Sequence, residues 1–220
     1  MKYAVSDIHG CVKTFKALIQ EKIQFDPAND ELYLLGDYVD RGPDSKGVLD
    51  YILNMQQQGY SVHTIRGNHD QMMIDAFHGI HLNWVENEGR ATMRSFGVLN
   101  PKEIPNNYFT LIEEMNLYIE LEDYYLVHAG FDFTRKDPFS HSESMMTIRQ
   151  MNIDNSIVQH KKIIHGHTPV PLNHIVDSVS SDSQTINIDN GCVMSNLNDY
   201  GSLIALELDS LKIHTQPFID

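Results

Sequence analysis

Short apolar runs that end in glycine or in polar residues recur along the chain. "YAVSDI", "ELYLLGD", "SVHTIRG", "YYLVHAG", "KKIIHGH" and "TINIDNG" each read as a strand running into a turn, and "SLIALELDSLKIHTQPF" reads as a closing hairpin around Asp209 and Ser210. Between them the period changes from two to 3.6. "VKTFKALIQEKI" places Val12, Phe15, Leu18, Ile19 and Ile23 on one helical face, and "SKGVLDYILNMQQQ" does the same with Val48, Ile52, Leu53 and Met55. Strands alternating with helices predict an α/β fold. No linker, repeat or low-complexity tract divides residues 1–220, so a single domain is expected. The stretch from His78 to Asn107, rich in Gly, Asn and Pro, is the least regular and reads as an inserted lobe.

At 220 residues and 41% hydrophobic, the chain is long enough to bury a substantial core. Its formal charge of -14 and the lack of any basic run argue against a long nucleic-acid partner, whose phosphates must be neutralised by Lys and Arg. A small phosphorylated substrate stays open if the positive charge is local and inorganic. No apolar run approaches the roughly 18 residues of a membrane span, and the first residues begin directly on a strand pattern, so a cytoplasmic monomer is expected. Cys11 and Cys192 lack CxxC spacing and read as free thiols.

Chemistry enters where the strands end. "LGDYVDRGPDS" follows an apolar run with Asp37, Asp40 and Arg41 in a glycine- and proline-rich turn. Asp7 and His9 sit in "SDIHG", Asn68 and His69 in "RGNHD", His128 in "VHAG", and His165 and His167 in "HGHTP". Any one of these is an ordinary solvated turn or a satisfied histidine. Together, at one kind of position, they predict a cluster, because parallel strands gather their C-terminal ends in space. Carboxylate, imidazole and amide donors suit Mn, Fe or Zn, and their number exceeds what one ion takes. Two cations sharing a carboxylate use them economically, as in phosphoryl-transfer sites.

The set "DIHG", "GDYVDRG", "RGNHD", "HAG" and "HGHTP" resembles that of the calcineurin-like metallophosphoesterases, in the phosphoprotein phosphatase branch. Through "RGNHDQMMID" and "IDNG" it is similar to the bacteriophage lambda type of serine/threonine phosphatase. It is also similar to the symmetrical diadenosine tetraphosphatases, which share these motifs. The resemblance spans Met1 to about Leu206 and implies a central β-sandwich of mixed sheets with helices on both outer faces (α/β/β/α). It implies two divalent ions, Mn foremost with Fe or Zn as alternatives. Asp7, His9 and Asp37 would hold the first, with Asp37 bridging to a second completed by Asn68, His128 and His167. His69 would be the general acid, oriented by Asp40, and Arg41, Arg149 and Asn68 would meet the substrate phosphate.

Other residues read more plainly. His165 is expected to point away from the ligands, and Met72, Met73, Met145 and Met146 to fill core gaps. Asp70 stands where the protein phosphatases have glutamate, which bears on the substrate class. Trp84, Arg90, Arg94 and Phe96 of the lobe are the residues available to stack on a base. One tryptophan and few aromatics favour an open groove. The expected function is therefore a serine/threonine, or tyrosine, protein phosphatase, with a symmetrical bis(5'-nucleosyl)-tetraphosphatase as the alternative.

Overall fold

The computed structural model describes residues 1–80 and 82–220. Two sheets form its centre. The first has strand order β3-β2-β1-β8-β9, from β1 (Lys2–Val5), β2 (Glu31–Leu34), β3 (Ser61–Thr64), β8 (Ser202–Glu207) and β9 (Lys212–Pro217). The second has order β4-β5-β6-β7, from β4 (Tyr118–Glu120), β5 (Tyr124–Val127), β6 (Lys162–His165) and β7 (Thr185–Asn187). β1, β2 and β3 run parallel, as do β5, β6 and β7, so each sheet turns a row of parallel C-terminal ends the same way. The β8–β9 hairpin and β4 add antiparallel edges.

The expected strands are all present, because most are buried on both faces and therefore read as continuous apolar runs. Along β1, Ala4 faces the second sheet with Tyr33, Leu126, Ile164 and Ile204, whereas Tyr3 and Val5 face a helical layer. That layer comprises α1 (Val12–Ala17), which continues into a π-helical turn at Leu18–Lys22, α2 (Ser45–Gln57), α3 (Asn68–Phe77), α4 (Leu82–Glu86), α5 (Arg90–Phe96) and α6 (Asn106–Glu113). On the second sheet, Tyr125, Val127 and Ile163 meet Phe131, Met145 of α7 (Ser142–Thr147) and Val158 of α8 (Asn155–Val158). Ile175 of α9 (Leu172–Ser180) closes the core between the sheets. This is the expected α/β/β/α arrangement. Ile164 is fully buried between the sheets, so Ile164→Ala should cost about 2–5 kcal/mol, read from denaturant unfolding. A loss below ~1 kcal/mol would show that the sandwich centre collapses onto the gap.

Three readings change. β4 escaped detection because three residues of mixed burial carry no period. The 78–107 stretch is not irregular: it holds α4, α5, a 3-10 turn at Pro101–Glu103 and the start of α6, and it packs on α2 and α3. Helices of five and seven residues, interrupted at Asn87–Gly89, are too short to show a 3.6-residue period. Met73, Met145 and Met146 are buried as expected, whereas Met72 is half-buried, and Met72 and Met146 both border a surface cavity. Cys11 and Cys192 are buried free thiols, and among the described residues no helix is long and apolar enough to cross a membrane.

Candidate metal centre

The motifs gather at the parallel C-terminal ends. Asp7 and His9 follow β1, Asp37, Asp40 and Arg41 follow β2, His128 follows β5 and His167 follows β6. Asn68 and His69 depart from the strand-end expectation, since they open the first turn of α3, with Gly67 as the residue before it. A helix start projects two adjacent side chains in different directions, which lets one motif serve two purposes.

The loops are held in backbone conformations that side chains rarely adopt. His9, Asp37, Asp40, Arg41 and His167 have φ of 46°, 52°, 70°, 65° and 72°. Such residues cost of order 1–3 kcal/mol each and persist only where neighbours over-determine them. The neighbours here are explicit. The His9 and Gly10 N–H groups donate to the Asp37 and Tyr38 carbonyls at 2.8 and 2.9 Å. The Asp70 carboxylate accepts the N–H groups of Asp37, Tyr38 and Gly67 at 2.9, 3.0 and 2.9 Å. Asp70 is fully buried, so its difference from glutamate bears on how the β2 and β3 loops are joined rather than on substrate contact. Gly67 is required by close approach: a Cβ there would stand 2.1 Å from Asp37 Oδ1.

Asp37 lies at the middle of the cluster. Its Oδ2 is 3.6 Å from His9 Nε2 and 3.5 Å from His128 Nε2, and its Oδ1 accepts the His69 backbone N–H at 2.9 Å. Two groups of donor atoms form within 4.8 Å of one another, His9 with Asp37 and His69, and Asp37 with His128 and His167. Asp37 belongs to both. Asn68 Oδ1 joins the second group, 3.1 Å from His128 Nε2 and 2.9 Å from His167 Nδ1. Asp7 is not in either group; its carboxylate accepts the His167 N–H at 3.2 Å and lies beside Asp37 and Asp189.

The donor chemistry fits cations. His9 and His128 donate Nδ1–H to the Val39 and Leu35 carbonyls, both at 2.9 Å, leaving Nε2 of each as a lone pair turned into the cluster. Burial lowers both imidazoles, His9 to about 3, and lowers His167 to about 4, so these rings are neutral. The His128 lone pair faces the Asn68 carbonyl oxygen at 3.1 Å, and these two acceptors would be relieved of their repulsion by holding a cation. Burial alone would raise Asp37, but the positive charge that His128, His69 and His9 carry when protonated, with the His69 backbone N–H, holds its carboxyl well below the usual range; with His9 and His128 neutral, that role is left open to a cation. Asp7 is pushed far up, first by burial and then by Asp189 and Asp37. Buried carboxylates this close cannot all ionise without positive charge among them.

Around this cluster lie the remaining expected residues. His69 Nδ1–H donates to Asp40 Oδ2 at 2.8 Å; burial opposes protonation, but that bond and the charges of Asp37 and Asp40 raise the imidazole above its usual range. Arg41 donates to His9 Nε2 at 3.0 Å and to His69 Nε2 at 2.9 Å, and its Nε lies 3.5 Å from Glu88. Arg149 is exposed, and its charge helps depress His167. His165 ends β6 outside both donor groups, its Nδ1 3.3 Å from the Gly166 oxygen. Trp84 is not a stacking platform: it is 3% exposed and its indole N–H donates to Asp40 Oδ2 at 2.8 Å. Thr92 and Ser45, which the sequence left unremarked, also meet Asp40, and no short-range pattern marks residues that meet only when the lobe folds onto α2.

Curated relatives match a little over a third of the chain. The symmetrical bis(5'-nucleosyl)-tetraphosphatase of Photorhabdus laumondii is 43% identical over 81 residues, 37% of this chain and 28% of that protein. That of Buchnera aphidicola is 40% identical over 85 residues, 39% and 30% of the two chains. The matched stretch thus spans under a third of either relative. Among solved structures, one proposed to be a diadenosine tetraphosphatase superposes with a TM-score of 0.71 at 19% identity, covering 100% of this chain and 94% of that one. The cold-active protein-tyrosine phosphatase of a Shewanella species gives 0.66 at 18%, over 98% and 80%. These likenesses concern the fold. The sequence profile of the calcineurin-like phosphoesterases matches residues 3–194, and with the paired donor groups centred on Asp37 in place, the chain belongs to that family.

Proposed function

We propose that this chain is a two-metal phosphoester hydrolase acting on dinucleoside polyphosphates. The observation that carries the chemistry is the sharing of Asp37 between two groups of donor atoms. Divalent cations held by Asp7, His9, Asp37, Asn68, His128 and His167, with manganese the foremost candidate, would supply Lewis acidity toward phosphoryl oxygens and activate water. The rest falls to the protein's own side chains. Arg41, with Arg149 reaching from beyond α7, offers planar forked donors suited to phosphoryl oxygens. His69 delivers a proton to the departing oxygen from Nε2, while its Nδ1–H stays on Asp40.

For the substrate, the named relatives support the tetraphosphatase alternative over the protein phosphatase expected from the motifs. A cavity of about 630 Å³ adds support. It opens beside Asn68 and is walled by Met72, Leu117 and Met146, with Gln71 and Glu143 as hydrogen-bonding groups. Its volume lies within the range of small-molecule sites, and its place lets a phosphate at the metals put its nucleoside against apolar walls. Direct competition between diadenosine tetraphosphate and phosphoserine, phosphothreonine and phosphotyrosine peptides tests the reading. The dinucleotide, with one water, should yield two ADP at the higher kcat/KM, and Met72→Glu should raise its KM roughly tenfold by placing a carboxylate in the apolar wall against which the nucleoside packs. A preference for phosphopeptides would return the function to a protein phosphatase.

A further inference from the structure

The lobe formed by α4 and α5 ends at a single buried carboxylate. Asp40 is fully buried and receives three hydrogen bonds from side chains: His69 Nδ1–H and Trp84 Nε1–H at Oδ2, both at 2.8 Å, and Thr92 Oγ1–H at Oδ1, at 2.7 Å. Its own N–H donates to Thr92 Oγ1 and Ser45 Oγ at 2.9 and 3.1 Å. Only one of the three donors belongs to the catalytic cluster. The other two come from residues 44 and 52 positions further along the chain, on separate helices.

Each is held firmly. Gly89 packs on the Trp84 ring so closely that a Cβ there would lie 2.4 Å from it, so the ring's position is fixed by a backbone. Ser95, one turn from Thr92 on the same face of α5, accepts the Lys46 N–H at 2.8 Å and donates to Asp44, the N-cap of α2, at 2.9 Å. Asp40 itself has φ of 70°, a conformation that needs external support. A buried carboxylate with Thr92 at one oxygen and Trp84 at the other has no freedom to turn, and the imidazole that donates to it takes its direction from theirs.

We propose that Trp84 and Thr92 are positioning residues which, by clamping Asp40 from the lobe, hold the His69 ring where Nε2 faces the departing oxygen. The inference rests on the general-acid reading of His69. In the step concerned, Arg41 leaves Nε2 for the substrate phosphate and His69 takes a proton there from solvent; the bond from phosphorus to water oxygen then forms, that to the leaving oxygen breaks, the proton on Nε2 passes to the leaving oxygen, and the attacking water gives its proton to solvent. A mis-set ring harms the departure of basic oxygens most, because weakly basic ones leave without a proton.

The test measures kcat across aryl phosphates of rising leaving-group basicity, with metal content and thermal midpoint followed in each variant. Trp84→Phe keeps the ring on Gly89 but removes the N–H, and Thr92→Val keeps the shape but removes the O–H. Each should steepen the fall of kcat with basicity, by about tenfold at the most basic member, the lower end of what loss of a partner behind a functional group produces. Thr92→Ser should restore the slope. Because Trp84 is the chain's one tryptophan, its indole N–H resonance gives a second readout: it should exchange slowly with solvent and move upfield in Asp40→Asn. His69→Asn provides the control. If His69→Asn steepens the slope while Trp84→Phe and Thr92→Val do not, the clamp is refuted and the general acid stands. If His69→Asn leaves the slope as it was, the general-acid reading falls and the proposal with it. An indole N–H that is indifferent to Asp40→Asn also overturns it.

Discussion

Asp37→Asn is expected to lose on the order of 10³-fold or more in kcat, and exhaustive chelation of the unaltered protein to abolish turnover until Mn²⁺ is returned. Asp37 is the one side chain common to both donor groups, 3.6 Å from His9 Nε2 and 3.5 Å from His128 Nε2. An amide keeps the shape but removes the charge that a bridging position requires, so both cation sites weaken together. On the two-metal reading, several kcal/mol of transition-state stabilisation would depend on those cations, and at roughly 1.4 kcal/mol per decade this corresponds to the stated loss. Metal analysis of Asp37→Asn should show both sites depleted, which separates this outcome from misfolding, as does a retained circular dichroism spectrum. Turnover that survives with an empty, folded protein would defeat the two-metal reading.

The strands and their chemistry were legible because buried parallel strands write themselves as apolar runs, and each run here ends in a Gly-bearing loop carrying a metal-ligand residue type. Asn68 and His69 were legible as residue types but not in their placement, since "SVHTIRG" runs into α3 without a turn signal stronger than Gly67. The misreading of Trp84 has a different cause. An aromatic residue in a polar, glycine-containing stretch looks exposed until the chain's other end of the contact is known, and Asp40 lies 44 positions away. The same separation hid Thr92. Asp70 was visible as a departure from the related motif, yet its three backbone partners come from two different loops, so its role is a property of the fold. Nothing in the local pattern of "DYVDRG" indicates that Asp37, Asp40 and Arg41 adopt left-handed backbone; that follows from the hydrogen bonds to the first and third loops.

His69→Asn and His128→Asn should part company, although both replace an imidazole that lies near Asp37. His128 is wholly buried, donates Nδ1–H to the Leu35 carbonyl and turns Nε2 toward Asn68 Oδ1 and Asp37 Oδ2, a geometry with no path for delivering a proton to substrate. Its replacement should empty the second cation site. His69 falls within the first donor group by distance, yet its Nδ1 is engaged by Asp40, and its Nε2 meets Arg41, the residue assigned to the substrate phosphate. The proton-transfer assignment therefore predicts that His69→Asn retains both cations and loses roughly 10²- to 10⁴-fold in kcat on substrates with basic leaving groups. Metal content decides between the assignments independently of rate. Two ions bound in His69→Asn and one in His128→Asn is the expected pattern. One ion in His69→Asn would make His69 a ligand, as its distance to His9 and Asp37 allows, and would leave the departing oxygen to be protonated by water.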